Sequence, residues 1–209
     1  MKAPASPAAA GAAVEKYYRF HSRIYDATRW TFLFGRSAIL EKISGESPRR
    51  VLEVGCGTGR NLAELARRFP EAEITGVDLS GPMLELARRK TGKFGARLRL
   101  LRQAYAAPLS DPSTFDLVLF SYALSMFNPG FEAAIEAARR DLVPGGRVAA
   151  VDFHATRFRS FERWMGVNHV RMNGQLRPLL QSSFSPMTDS LCPAYAGIWQ
   201  YLLFVGRKR

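Results

Sequence analysis

The stretch Val51-Leu52-Glu53-Val54-Gly55-Cys56-Gly57-Thr58-Gly59 decides how this chain is read. Its first four residues form a short, mostly apolar run of strand type, and three glycines at alternate positions follow at once. From about Asn61 to Phe69 the pattern turns helical. A glycine-rich turn between strand and helix lets the chain reverse sharply and lets a ligand approach the backbone with no Cβ in the way. Alone, such a turn is only a structural device. Its spacing adds more. A second strand, Glu73–Val77, runs into Asp78, 19 residues after Gly59, where an acidic side chain can accept hydrogen bonds from both hydroxyls of a ribose. A phosphate loop would need Gly-Lys-Ser/Thr, and Arg60-Asn61 follows Gly59 instead. A dinucleotide loop would read Gly-x-Gly-x-x-Gly, whereas this one reads Gly-x-Gly-x-Gly.

Outward from the loop, short apolar runs alternate with amphipathic stretches. Pro82–Lys90 is a helix, Arg97–Arg102 has strand-compatible alternation, and Phe115–Phe120 is a buried-strand candidate. Phe131–Leu142 is helical, Pro144-Gly145-Gly146 turns the chain into the strand Arg147–Asp152, and Trp199–Val205 is a further apolar strand. Between Phe153 and Ser190 the pattern is weaker. This β-α alternation predicts an α/β fold: a Rossmann-like, doubly wound, mostly parallel sheet of about seven strands. Upstream, Val14 to Ile43 reads as helical and aromatic-rich, ending at Gly45-Glu46-Ser47-Pro48. The chain thus divides into a disordered tail over 1–14, an N-terminal helical cap or lid over 15–48, and the main domain over 49–209.

A hydrophobic fraction of 47% beside a charged fraction of 23% is that of an ordinary globular protein. No apolar run approaches the roughly 20 residues that cross a bilayer, so a cytoplasmic protein is expected. Prolines and a serine interrupt the opening residues, which argues against a signal sequence. Cys56 and Cys192 are expected to be reduced thiols, and His21, His154 and His169 are too scattered for a metal site. The formal charge is +12, and residues 151–209 carry eight Lys or Arg against three Asp or Glu. That excess suits a solvated basic surface or an acidic partner, namely nucleic acid, an anionic membrane or a charged substrate.

The loop, Asp78, Phe115-Asp116-Leu117-Val118 and Leu142-Val143-Pro144-Gly145-Gly146 together resemble the class I S-adenosylmethionine-dependent methyltransferases. The resemblance covers about Arg49 to Asp152 and the final strand. It implies S-adenosylmethionine as cofactor and S-adenosylhomocysteine as product. Carried over, it assigns cofactor contacts to Glu53, Gly55, Cys56, Gly57, Thr58 and Gly59, with Asp78 on the ribose. Leu79 and Met83 would line the adenine slot, with Gln103, Ala104, Tyr105 and Ser121 completing the set. One departure matters. The family usually places an Asp after the third strand to bond the adenine amino group, and Tyr105 stands there. Adenine recognition would then rest on stacking, backbone groups or Gln103.

Two flanking segments bear on the methyl acceptor: Tyr17 to Arg36, and Phe120-Ser121-Tyr122-Ala123-Leu124-Ser125-Met126 after the fourth strand. Both resemble the bacterial betaine-lipid N-methyltransferases, which trimethylate diacylglyceryl-homoserine, as do Val151-Asp152-Phe153 and Asn168-His169-Val170-Arg171. Met172-Asn173-Gly174 departs from that pattern. The resemblance implies a lipid acceptor at the inner membrane face, with the enzyme that makes diacylglyceryl-homoserine as a partner and no nucleic acid. Methyl transfer to an amine is an in-line displacement that needs positioning and exclusion of water, and no metal. Aromatic faces stabilise the cationic product. Tyr25 and Tyr122 are the preferred pair for such a cage. Tyr17, Tyr18, His21, Arg36, Ser125 and Met126 are candidates for acceptor contacts, although Tyr17 and Tyr18 suit helix packing equally. His21, Asp152 or His154 would accept a proton through water. Arg157-Phe158-Arg159-Ser160-Phe161-Glu162-Arg163-Trp164-Met165 would lie in an anionic membrane interface or pack its rings into the core with arginines outside. The competing acceptors are a soluble small molecule, such as a quinone precursor or amine metabolite, and RNA. Against RNA, Ser121-Tyr122-Ala123-Leu124 stands where base-amine methyltransferases carry Asp/Asn-Pro-Pro-Tyr.

Overall fold

Five buried strands carry the centre of the sheet because their residues leave no polar face for water. In β1 (Arg50–Val54), Val51, Leu52 and Val54 are fully buried, each contributing roughly 1.5–3 kcal/mol. β1 lies between β2 (Glu73–Asp78) and β4 (Phe115–Ser121), parallel to both, with Val51 beside Ile74 and Leu117. The computed structural model describes residues 32–45, 47–109, 114–167 and 169–209. The tail, most of the expected cap, and Tyr17, Tyr18, His21, Tyr25 and Asn168 lie outside the described residues.

The sheet has seven strands in the order β3-β2-β1-β4-β5-β7-β6. β3 is Leu98–Arg102, β5 Leu142–Thr156, β6 Ser185–Ala194 and β7 Trp199–Arg207. β7 runs antiparallel to both β5 and β6. This is the Rossmann-like, mostly parallel sheet that the alternation predicted. Helices α1 (Arg36–Lys42), α2 (Arg60–Arg68), α3 (Gly81–Thr91) and α5 (Arg159–Val167) pack on one face, while α4 (Phe131–Asp141) and α6 (Leu176–Ser183) pack on the other. Strand alternation divides the core accordingly: Val51 and Leu119 face the first layer, Leu52 and Phe120 the second.

Three local expectations change. The helix expected to reach Ile43 does not run through residues 32–35, because Gly35 adopts φ 76° before α1 begins. Pro144-Gly145-Gly146 is an excursion inside β5 rather than a turn before it. Pairing jumps from Phe115–Leu142 to Leu117–Arg147. β6 falls largely within the stretch of weaker pattern, because Pro186, Pro193 and mixed polarity break the strand alternation. As an edge strand with only β7 for a neighbour it tolerates prolines that a central strand would not.

Candidate functional site

The glycine turn follows β1 and is held by a few backbone bonds. Gly55 and Cys56 N–H both donate to the Val77 carbonyl, at 2.8 and 3.0 Å, and Gly59 N–H donates to Cys56 O at 3.0 Å. Gly55, Gly57 and Gly59 adopt φ of 69°, 53° and 74°, a region that costs other residues about 1–2 kcal/mol. They differ in surroundings. A Cβ at Gly55 would sit 2.6 Å from Ala123 Cβ, and one at Gly59 would sit 2.9 Å from Ala87 Cβ. A Cβ at Gly57 would meet nothing within 4 Å. Packing forbids side chains at the outer two glycines, while the middle one fronts open space.

Asp78 closes the turn from β2. Its Oδ2 accepts from Gly57 N–H and its Oδ1 from Ser80 N–H, both at 2.8 Å. Burial pushes its carboxyl above the ordinary range, and the two amides oppose that. Glu53 lies deeper, 1% exposed, accepting from Asn61 Nδ2 at 2.9 Å through Oε1. Its Oε2 makes no hydrogen bond with the described residues. Burial drives its pKa up to about 8, against the Asn61 bond and the nearby Arg36 charge. Glu53 therefore sits behind the wall and orients Asn61.

A cleft of about 220 Å³ opens above these groups at the C-terminal ends of β1, β2 and β4, where open α/β sheets bind ligands. Gly55, Cys56, Gly57, Thr58, Asp78, Leu79, Met83, Gln103, Ala104, Tyr105 and Ser121 line it, as do Arg36, Tyr122 and Met126. Glu53 and Gly59 support it from behind. Phe127, Asn128, Pro129 and Gly130 also line it, beyond the residues expected from the sequence. The turn signal Asn128-Pro129-Gly130, just after the fourth strand, was the available clue.

Several side chains expected at the adenine and acceptor ends are committed elsewhere. Tyr105 hydroxyl donates to Asp141 Oδ2 at 2.7 Å, so the tyrosine in place of the usual acid anchors the cleft wall to the end of α4. Burial and the Asp141 charge raise its pKa strongly. Tyr122 hydroxyl donates to the Phe34 carbonyl at 2.6 Å, and burial raises its pKa too. Its ring packs edge-on to Phe153, centroids 4.7 Å apart. Ser125 does not line the cleft; its N–H donates to Asp152 Oδ2 at 3.1 Å. Asp152 is wholly buried, its carboxyl pushed up to about 6 by burial. It pins the turn Leu124–Met126 to β5 rather than facing the cleft as a proton acceptor. His154 is also outside the cleft, beside Gly174 and in the fields of Arg177 and Asp189. Burial, then Arg177, lowers its pKa.

Residues 51–146 match the family described as Methyltransferase domain. The demethylmenaquinone methyltransferase of Thermus thermophilus is 37% identical over 109 residues, covering 52% of this chain and 49% of that protein. A trans-aconitate 2-methyltransferase of Methylobacterium radiotolerans is 34% identical over 117 residues, covering 53% and 40%. The chain thus spans about half the length, or less, of these curated relatives. The Burkholderia thailandensis 1,6-didemethyltoxoflavin-N1-methyltransferase, solved with its substrate and S-adenosylhomocysteine, superposes with a TM-score of 0.75 at 22% identity, covering 100% of this chain and 93% of that one. Residues 51–146 therefore match a methyltransferase domain, and the chain shares the Rossmann-like fold of that solved methyltransferase. The solved neighbour holds S-adenosylhomocysteine, the product left when S-adenosylmethionine gives up its methyl group. The cleft suits S-adenosylmethionine: Gly57 fronts open space, Asp78 lines it from the end of β2, and Ser121 Oγ is buried without a partner among the described residues. These relatives are named for small-molecule acceptors, and none of them for the betaine lipid expected from the flanks.

Proposed function

We propose that this chain methylates a small molecule whose nucleophile needs no strong base from the protein, a quinone precursor being the leading candidate. The carrying observation is the acceptor wall. It is built from Tyr122, Ala123, Met126, Phe127, Asn128 and Pro129, with no carboxylate or histidine among the described residues there. Tyr122 is raised well above the range where it could act as a base, and its hydroxyl is engaged. An enolate-like carbon, a carboxylate or a neutral amine would attack unaided, given alignment and a dry cleft. Bound S-adenosylmethionine supplies an electrophilic methyl group on a sulfonium. The chain's residues do the rest: Asp78 accepts from ribose hydroxyls, Glu53 orients Asn61, Leu79 and Met83 give the adenine an apolar slot, and Phe127 excludes water. The demethylmenaquinone and trans-aconitate relatives support this acceptor class.

A second reading, the amine of diacylglyceryl-homoserine, is favoured by one observation. An exposed aromatic and arginine-rich surface adjoins the cleft. One experiment separates the two. Purified protein is incubated with methyl-labelled cofactor and, separately, demethylmenaquinone, trans-aconitate, diacylglyceryl-homoserine and transfer RNA. Label in either small molecule is the expected result. Label only in the lipid selects the second reading, and label only in RNA overturns both.

A further inference from the structure

We propose that α5, the loop before it and the tip of the β6–β7 hairpin form a surface that docks on an anionic phospholipid bilayer. Seven large hydrophobic side chains are exposed among the described residues: five lie on these elements, Phe158 and Trp164 at 51%, Val167 at 75%, Tyr195 at 44% and Ile198 at 42%, and Phe34 at 38% packs beside them. Scattered exposed apolar residues are ordinary, but a contiguous group marks an interaction surface. Contiguity follows from the contacts. Phe32 lies 6.0 Å from Trp164 and 6.1 Å from Tyr195, and Tyr195 meets Phe34 edge-on at 5.1 Å. Thr156 Oγ1 donates to Ile198 O at 2.7 Å and accepts from Phe158 N–H at 3.1 Å, tying the loop to the hairpin tip.

Burial within α5 decides between the two readings of its sequence. Met165 is buried and Phe161 packs partly against the core, while Phe158, Trp164 and Val167 stay outside. Arg157, Arg159 and Arg163 are exposed on the same segment, against the single acid Glu162 from 157 to 167. The Arg157 guanidinium lies beside Gly197 in the hairpin tip, which carries no acid. Cations flanking aromatic and aliphatic side chains match the chemistry of an anionic interface, with arginines on phosphates and rings at headgroup depth. Val167 and Ile198 favour acyl chains over a nucleic-acid backbone, which offers an aliphatic group little.

The surface also leads into the cleft. The Phe34 carbonyl accepts the Tyr122 hydroxyl, and Arg36, two residues on, lines the cleft. Docking would present the cleft mouth to the headgroup layer, whatever the acceptor.

The test is co-sedimentation with vesicles of equal parts phosphatidylglycerol and phosphatidylcholine, beside vesicles of phosphatidylcholine alone. Salt-sensitive binding to the anionic vesicles is expected. The double variant F158S/W164A should lower partitioning at least about tenfold, and each of R157Q, R159Q and R163Q roughly fivefold at low salt. All should keep S-adenosylhomocysteine affinity and thermal unfolding, a readout that separates this surface from the methyltransferase reading. Three results would overturn the proposal. They are no binding at low ionic strength, variants that bind like the parent, and a self-associated dimer that F158S/W164A dissociates while vesicle binding is absent.

Discussion

The two halves of the sheet were built under different constraints. On the β3-β2-β1 side the turn Gly55–Gly59 and Asp78 are held by a few backbone bonds, and each glycine answers a local demand of φ or space. On the β5-β7-β6 side the strands are antiparallel, prolines interrupt the edge, and order comes from aromatic packing such as Phe153 on Trp199 at 5.0 Å. The first half lines the cleft. The loop after β4, from Tyr122 to Gly130, closes the rest of the cleft. A cofactor common to a class can be held by local backbone chemistry, whereas an acceptor surface depends on residues distant in the chain.

The largest expected effect breaks the first half. D78A removes the acceptor for two loop amides and the ribose, so the Kd for S-adenosylhomocysteine should rise by about a hundredfold, close to 3 kcal/mol, in calorimetry. Unchanged affinity would remove the ribose assignment. Next come the glycines. G55A drives a methyl into Ala123, and urea unfolding should show it roughly 2 kcal/mol less stable than G57A, which carries only backbone strain. Equal losses would mean that the loop shifts to relieve the clash.

Acid–base behaviour sharpens the same half. The Glu53 carboxyl holds its proton more tightly in the fold, up to about 8, than at its ordinary value of 4.5. Between those values the folded state binds more protons, so cofactor-free stability should fall as pH rises through the window. E53Q keeps an acceptor for Asn61 and should be the more stable protein at pH 8, by on the order of 2 kcal/mol. Parallel pH–stability curves for variant and parent would refute the buried acid.

Effects on the second half should be smaller. Y122F leaves the Phe34 carbonyl without its donor and should cost about 1 kcal/mol in unfolding experiments, with cofactor affinity intact. H154A, outside the cleft, should change turnover by no more than about twofold. A larger loss would return His154 to the site.

The alternation of strands and helices was legible because strand burial and helix periodicity are local patterns. So was the cofactor loop: three glycines at that spacing, with an acid at the end of the next strand, leave few other uses. Side-chain destinations were not legible. Tyr105 occupied the expected position, yet its hydroxyl goes to Asp141, 36 residues away. His154 and Asp152 belong to the strand that borders the site, but neither reaches the cleft. β6 escaped notice because only its pairing with β7 makes a strand of so polar and proline-broken a segment.

By itself, the sequence determined the sheet's parallel half, the glycine turn that lines the cleft and the acid, Asp78, that closes it. These follow from φ, spacing and hydrophobic period within a few residues of one another. Tertiary structure alone decided which polar groups the cleft keeps, which tyrosines are already hydrogen-bonded, and that Phe158 and Trp164 face outward. Those outcomes depend on which distant segments meet, and a linear pattern does not encode contacts of that range.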